Sequence, residues 1–181
     1  MNRVKSIYND DDIQRVTKAL DNKHPKYGLL FTLGIYTGLR ISDLLNLRVG
    51  VVRACRASNF ELNIIQRKTR QPVTILLTET ILERIERHIM FWRLEATDYL
   101  FYSTETNRAA ALSRQHVWRV FRAVAAQNDM AGIGTHTMRR TFAVKHYRAY
   151  RNIKKLQERL GHRFISSTLN YLMQADGTII S

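Results

Sequence analysis

Apolar residues recur along most of the chain at the three- and four-residue spacing typical of amphipathic helices. Ile13, Val16 and Leu20 show this spacing behind an acidic start. A second helix should begin at Pro25, which fits a first turn, and stop before Gly38, because glycine readily takes the left-handed conformation that ends helices. The pattern predicts helices over about 10–21, 25–37, 42–47, 79–94, 113–127, 137–150, 153–160 and 166–172.

Between these helices, two short segments alternate apolar and polar residues as half-buried strands do. The alternating apolar positions are Phe60, Leu62 and Ile64 in the first segment and Val73, Ile75 and Leu77 in the second. They flank a turn at 67–71 and predict an antiparallel hairpin at about 58–77, with 99–102 as a candidate third strand. No Gly- or Ser-rich linker divides the chain, so the sequence predicts a single α+β domain over 1–181, mainly α-helical with a small antiparallel sheet.

The net charge of the chain gives a first indication of its function. The chain holds 29 Lys and Arg against 15 Asp and Glu, which gives a net charge of +14 and a pI near 10.4. The basic residues recur throughout, as in QRKTR and RRTFAVKHYRAYRNIKK, and are not confined to a tail. A folded surface of this kind favours a polyanionic partner, since neutralising phosphates releases counterions.

Other function classes are excluded by what the sequence lacks. Cys55 is the only cysteine, so the chain forms no internal disulfide and no cysteine-based zinc site. There is no P-loop, no HExxH motif and no acidic cluster suited to magnesium, so we expect no metal and no cofactor. No apolar run is long enough to span a membrane, and no secretory signal follows the N-terminal basic residues. We therefore expect a cytoplasmic protein that does not associate with membranes.

Three local motifs carry candidate chemistry. TGLRISD (37–43) places Arg40 after a glycine turn, at a helix start suited to an oxyanion. HTMR (136–139) puts His136 and Arg139 on one helix face, where a guanidinium and an imidazole can present to one phosphate. Read singly, these residues also fit a surface arginine after a turn and an ordinary amphipathic helix.

The third motif, GHRFISSTLNY (161–171), ends one helix at a glycine, exposes His162 and reaches Tyr171 nine residues later. A tyrosine on a helix is by itself commoner in a core or an interface than in an active site. A tyrosine hydroxyl is also a poor nucleophile at neutral pH, and it needs a proton acceptor and a cationic pocket. The other motifs supply residues of both kinds.

The order and spacing of these motifs resemble the catalytic domain of the tyrosine recombinases, the family of phage integrases and of inversion or resolution recombinases. The family pattern runs G-L-R-x-[ST]-[ED], a hairpin lysine, H-x-x-R and then G-H-x-x-I-x-x-T-x-x-Y, and the chain holds all four in that order. The resemblance extends from about residue 8 to residue 172. It implies the tyrosine recombinase catalytic-domain fold.

The resemblance also implies a role for each site residue. Arg40 and Arg139 correspond to the arginine pair that holds the scissile phosphate. His136 and His162 correspond to a second pair of donors, with His136 as a proton-transfer group. Tyr171 corresponds to the nucleophile, which forms a 3′-phosphotyrosine link to DNA. Because that link keeps the energy of the phosphodiester, religation requires no ATP.

Two further residues are assigned through the same resemblance. Lys68 stands where the family has its hairpin lysine and would protonate the leaving 5′-oxygen, with Arg67 and Lys145 as nearby alternatives. Asp43 stands at the acidic position after the first arginine and would support the active site. The chain departs from the family where Lys-Thr-Gly is usual, because Arg70 replaces the glycine. It also lacks the glycine that commonly ends the helix after H-x-x-R, near 150–152.

The resemblance implies double-stranded DNA as the partner, a monomer in its absence, and self-association on DNA into a tetrameric synapse. We expect a bacterial or phage-encoded protein without the N-terminal clamping domain that most of the family carries. Two alternative functions stay open: a non-catalytic DNA-binding regulator of the same fold, and a DNA-relaxing enzyme similar to type IB topoisomerases. At the C-terminus, Gly177 permits a turn and Thr178 to Ile180 have strand character, which predicts a short edge strand that docks in cis or on a partner.

Overall fold

A computed structural model describes residues 7, 9–106, 108–130, 132–177 and 179. The predicted fold class is confirmed: the chain is mostly helical with one small antiparallel sheet. The elements are α1 (Asp10–Lys23), α2 (Pro25–Thr37), α3 (Ile41–Leu45), α4 (Val49–Arg53), β1 (Glu61–Ile65), β2 (Pro72–Leu76), α5 (Glu79–Phe91), α6 (Arg114–Gln127), α7 (Thr135–Tyr150), α8 (Ile153–Leu160) and α9 (Ile165–Ala175).

The chain forms two compact units, residues 1–40 with 118–181 and residues 41–117. In the first unit, α2 packs directly on α7. This close approach depends on glycine, because a Cβ at Gly34 would overlap Met138 and a Cβ at Gly38 would overlap Phe142. The C-terminal ends of α2 and α8 and the start of α7 therefore lie in the same unit, and each carries a residue of the three sequence motifs.

A cluster of buried residues joins α7, α8 and α9. Leu156 and Leu160 from α8 and Leu172 from α9 are fully buried there. Ile179, beyond the end of α9, is buried in the same cluster, and its N–H donates to the carbonyl of Asp176 at 3.3 Å. The predicted terminal strand includes Thr178 and Ile180, which lie outside the described residues.

The second unit contains the predicted hairpin, which is confirmed. β1 and β2 pair antiparallel, with Leu62 opposite Ile75, and both of these side chains are fully buried. The candidate third strand at 99–102 is wrong, because among the described residues the sheet has two strands and that segment makes only isolated bridges, from Tyr99 to Arg48 and from Tyr102 to Ala111.

Most helices differ from the predicted ones by one to three residues at their ends, and one helix was not predicted. α4 was not predicted, because its five residues are too few to show a helical period. α7 begins at Thr135, two residues earlier than expected, and α9 continues to Ala175. No helix in the described ranges combines the length and apolarity needed to cross a membrane.

Candidate active site

The first unit holds Arg40 just beyond the end of α2. Gly38 ends that helix in the left-handed conformation, with φ at 68°, as its position in the sequence predicts. Arg40 is half-buried, and its Nη2 donates to the carbonyls of Leu160 at 3.3 Å and Gly161 at 3.5 Å. The side chain is thus directed to the C-terminal end of α8.

Arg139 reaches the same carbonyl from α7. It is buried, and its Nη1 donates to the carbonyl of Gly38 at 2.7 Å while its Nη2 donates to the carbonyl of Leu160. Arg40 and Arg139, which are far apart in the sequence, therefore share Leu160 as an acceptor. The two guanidinium groups form one cationic patch, and this is the arrangement that a phosphate-binding pocket requires.

His136 lies in the first turn of α7, three residues before Arg139 and on the same helix face. Its side chain is exposed. The start of the helix is fixed by Thr137, whose buried hydroxyl accepts from the N–H of Gly134 at 3.0 Å. The imidazole is therefore open to solvent on a well-anchored turn.

His162 follows the left-handed Gly161 that ends α8, with φ at 59°. Its Nδ1 lies 3.0 Å from the hydroxyl oxygen of Thr168 on α9. Its ring also meets the ring of Tyr171 edge to face, with 5.6 Å between centroids and 78° between planes. The histidine and the tyrosine of the third motif are therefore direct neighbours.

The Tyr171 hydroxyl is buried, and it makes no hydrogen bond of normal geometry with any described residue. Burial raises the pKa of Tyr171 above its ordinary value. The nearby charges of Arg139, Arg140 and Arg40, together with a weak hydrogen-bonding interaction with the Arg139 guanidinium, lower that pKa. Burial is the larger effect, so the phenol stays protonated at neutral pH. An unsatisfied buried hydroxyl beside cationic groups is costly for a structural residue and suited to a nucleophile that awaits its substrate.

Lys68 and Asp43 belong to the second unit. Lys68 is exposed in the turn between β1 and β2. Asp43 is buried, and its Oδ1 accepts from the backbone N–H of Arg67 at 3.0 Å, so α3 anchors the turn one residue before the lysine. Arg70, in place of the usual glycine, takes a left-handed φ of 57°. The turn thus keeps the backbone conformation that glycine favours without having the glycine.

Sequence reasoning missed three residues at the site in the first unit. Thr168 holds the ring of His162, and Arg140 contributes a charge that lowers the pKa of Tyr171. Gln157 fixes the backbone that follows α8, because its Nε2 donates to the carbonyls of His162 at 3.0 Å and Arg163 at 3.2 Å. Thr168 lies within the third motif, and Arg140 and Gln157 lie next to motif residues in the sequence. Their contacts were not predicted, because these contacts form only once the chain has folded.

In the part of the chain that the structure describes, no three His, Cys, Asp or Glu side chains are placed so that they could hold a metal ion. The site is instead made of cationic and hydrogen-bonding groups around a buried phenol. Such a site can bind an oxyanion, stabilise the charge of a pentacoordinate phosphorus and present an oxygen nucleophile.

Comparison with known proteins agrees with this geometry. The sequence profile of the phage integrase family matches residues 7–177. The chain is 33% identical over 172 residues to the probable integrase/recombinase YoeC of Bacillus subtilis strain 168, covering 95% of this chain and 91% of that protein. It is 30% identical over 165 residues to the tyrosine recombinase XerA of Pyrococcus horikoshii, covering 90% of this chain and 54% of that protein.

Among solved structures, the chain is similar to a lambda integrase tetramer bound to a Holliday junction. The TM-score is 0.70 at 20% identity, over 92% of this chain and 48% of that chain. The chain thus spans nearly all of YoeC but about half the length of the XerA and lambda proteins. The fold is the one found in tyrosine recombinase catalytic domains.

Proposed function

Because the chain belongs to the phage integrase family, we propose that it is a site-specific DNA recombinase that cleaves and rejoins strands through a 3′-phosphotyrosine intermediate at Tyr171. The observation that carries the proposal is the convergence of Arg40 and Arg139 on the Leu160 carbonyl, with the buried Tyr171 hydroxyl beside them. A cationic pair next to an unsatisfied phenol is what in-line attack on a phosphodiester needs.

In the first step, Arg40 and Arg139 bind the non-bridging oxygens of the scissile phosphate. Tyr171 then attacks phosphorus, the new P–O bond to tyrosine forms, and the bond to the 5′-oxygen breaks. The arginines act mainly on the transition state, because the charge on those oxygens rises as the phosphorane forms. Both guanidinium groups are already held by backbone carbonyls, so little reorganisation is needed when DNA arrives.

Two protons must move in this step. The phenol of Tyr171 loses its proton, and we assign its acceptance to His136, which stands exposed in the first turn of α7 and can pass the proton to water. The leaving 5′-oxygen gains a proton, which we assign to Lys68 at the exposed hairpin turn. His162 donates to a phosphate oxygen. The reverse step, attack of a 5′-hydroxyl on the phosphotyrosine, uses the same groups in the opposite direction.

The partner is double-stranded DNA, and the net charge of +14 supplies affinity that does not depend on base sequence. One face of α6 suits this contact: Trp118 is 49% exposed, and the guanidinium of the exposed Arg122 lies 5.8 Å from its ring centroid, next to the exposed Arg119. Arginines beside an exposed aromatic ring favour contact with phosphates and bases.

We further propose that the protein is a cytoplasmic monomer without DNA and assembles as four subunits on two DNA sites. The support is the similar lambda integrase, which was solved as a tetramer on a Holliday junction. We also propose that residues 1–181 act as a single catalytic domain, which both binds DNA and cleaves it. Light scattering with and without a cognate duplex tests the change in assembly.

The proposed chemistry is tested with a nicked suicide substrate, in which loss of a short strand traps the covalent adduct. The wild-type protein should form an SDS-resistant adduct, and Tyr171→Phe should form none while still binding duplex DNA. Tyr150→Phe is the matched control, because Tyr150 lies on α7 and is 65% exposed. An adduct with Tyr171→Phe would refute the assignment of the nucleophile.

The same reaction separates this proposal from the alternatives. A regulator without catalysis would give no adduct with any variant. A relaxing enzyme would form the adduct and relax a supercoiled plasmid that carries two sites, but would exchange no strands between them. Exchange between two sites with wild type, and none with Tyr171→Phe, is the expected result.

A further inference from the structure

Thr168 connects the second histidine of the site to the helix that carries the nucleophile. Its hydroxyl is fully buried and lies 3.0 Å from Nδ1 of His162. It stands three residues before Tyr171 on α9, so both side chains project from the same face of that helix. Any movement of α9 that repositions the tyrosine therefore also moves the group that holds the histidine ring.

The backbone of His162 is held independently from the preceding helix. The carboxamide of Gln157 on α8 donates to the carbonyls of His162 and Arg163, and the left-handed Gly161 sets the direction of the turn. With the main chain fixed by α8, the contact with Thr168 decides how the imidazole ring is turned. Two helices thus define the position of one imidazole.

We infer that Thr168 is a positioning residue which sets the ring orientation and tautomer of His162. The inference rests on the proposed function. Among the described residues, Nδ1 of His162 is the one acceptor that the buried Thr168 hydroxyl reaches, so the hydroxyl donates to Nδ1 with or without DNA. With Nδ1 committed to Thr168, a hydrogen bond from this ring to a phosphate oxygen has to come from Nε2. Because a phosphate oxygen only accepts, Nε2 carries the proton of the neutral ring, and the Thr168 hydroxyl donates to Nδ1.

The first test is spectroscopic and needs no DNA. Ring ¹⁵N shifts, assigned among the six histidines by comparison with His162→Asn, report which nitrogen carries the proton in the neutral ring. The wild-type protein should show a single tautomer with the proton on Nε2, and Thr168→Val should show a mixture. A wild-type ring protonated on Nδ1, or an identical spectrum in Thr168→Val, would overturn the inference.

The second test is cleavage of the suicide substrate. Loss of one hydrogen bond that orients His162 should slow cleavage by Thr168→Val about fivefold. Thr168→Ser keeps the hydroxyl and should restore both the rate and the single tautomer. The neighbouring Ser167→Ala, which removes an exposed hydroxyl from the same helix, should change neither. Equal losses in Thr168→Val and Thr168→Ser would indicate a packing role and contradict the inference.

Failure of the positioning role can be distinguished from failure of the proposed function. If the proposed function is wrong, wild type forms no adduct or Tyr171→Phe still forms one, yet the tautomer of His162 can be measured in either case. If adducts form but the tautomer does not respond to Thr168, the recombinase assignment stands and the positioning role is refuted. Should Thr168→Val fold poorly, Thr168→Ser should still keep the single Nε2 tautomer, and a wild-type ring protonated on Nδ1 would still overturn the inference.

Discussion

The two arginines of the site should be equally important for cleavage but unequally important for stability. Arg139 is buried and donates to the carbonyls of Gly38 and Leu160, the first at 2.7 Å. Arg40 is half-buried, and its bonds to the carbonyls of Leu160 and Gly161 are long, at 3.3 and 3.5 Å. The two guanidinium groups thus differ in burial and in the strength of their hydrogen bonds to the protein.

The size of the difference follows from these contacts. Arg139→Ala leaves the carbonyl of Gly38 without its guanidinium donor and weakens the hydrogen bonding of Leu160. At about 1–3 kcal/mol for each buried group, the free energy of unfolding should fall by about 3 kcal/mol. For a chain of this size, that lowers the melting temperature by about 6–12 °C. Arg40→Ala gives up weaker, partly solvated bonds and should cost at most about 1 kcal/mol.

Thermal melts and adduct formation on the suicide substrate test both parts. Each alanine variant should lose about 10²–10³ in cleavage rate, because each removes a donor to the transition state. Arg15→Ala, an exposed arginine on α1, is the control and should change neither quantity. Equal melting temperatures for Arg139→Ala and Arg40→Ala would refute the structural reasoning. Cleavage losses below tenfold in both would place the phosphate pocket elsewhere.

Arg151, Lys68 and Tyr171 can each be tested alone. Arg151 ends α7 with φ at 47°, so Arg151→Gly should raise the free energy of unfolding by about 0.5–1 kcal/mol in urea titrations; no gain would mean that its side-chain contacts outweigh the strain. If Lys68 protonates the 5′-oxygen, a 5′-bridging sulfur should restore cleavage by Lys68→Ala, since a thiolate leaves without a proton. Failure to restore cleavage would mean that another residue is the acid. Burial raises the pKa of Tyr171 above the ordinary 10.0, so its protonated form favours folding below about pH 10, and this contribution is lost as the pH rises through the folded pKa. The melting temperature of wild type should therefore fall more steeply above about pH 10 than that of Tyr171→Phe, and parallel curves would contradict this.

The helices and the hairpin were predictable because their signals are local. α2 follows from Pro25 and Gly38, and the hairpin from alternation around a turn. The short segment 99–102 was mistaken for a strand because its apolar residues are buried in a loop, and burial alone does not distinguish a loop from a strand. α4 has five residues, too few for a periodic signal.

The site was predictable only as a set of motifs. Each motif taken singly fits an ordinary helix, and it is their order and spacing that make Arg40, Arg139 and Tyr171 the candidate site residues. The contacts of Thr168 and Gln157 were not predictable, because each depends on the turn at Gly161 and on the approach of α9 to α8. These are hydrogen bonds between helices, which no local pattern encodes.

The ends of the helices explain why this site is organised before DNA binds. The carbonyls of Gly38 and Leu160 belong to the C-terminal ends of α2 and α8, which carry partial negative charge and lack partners within their own helices. Arg139 satisfies both, so it stabilises two helix ends at once. A guanidinium has its N–H donors in one plane and can hold these carbonyls on one side and phosphate oxygens on another. The glycine turns that end the helices therefore also create the acceptors that hold Arg40 and Arg139, which ties the geometry of the candidate site to the stability of the first unit.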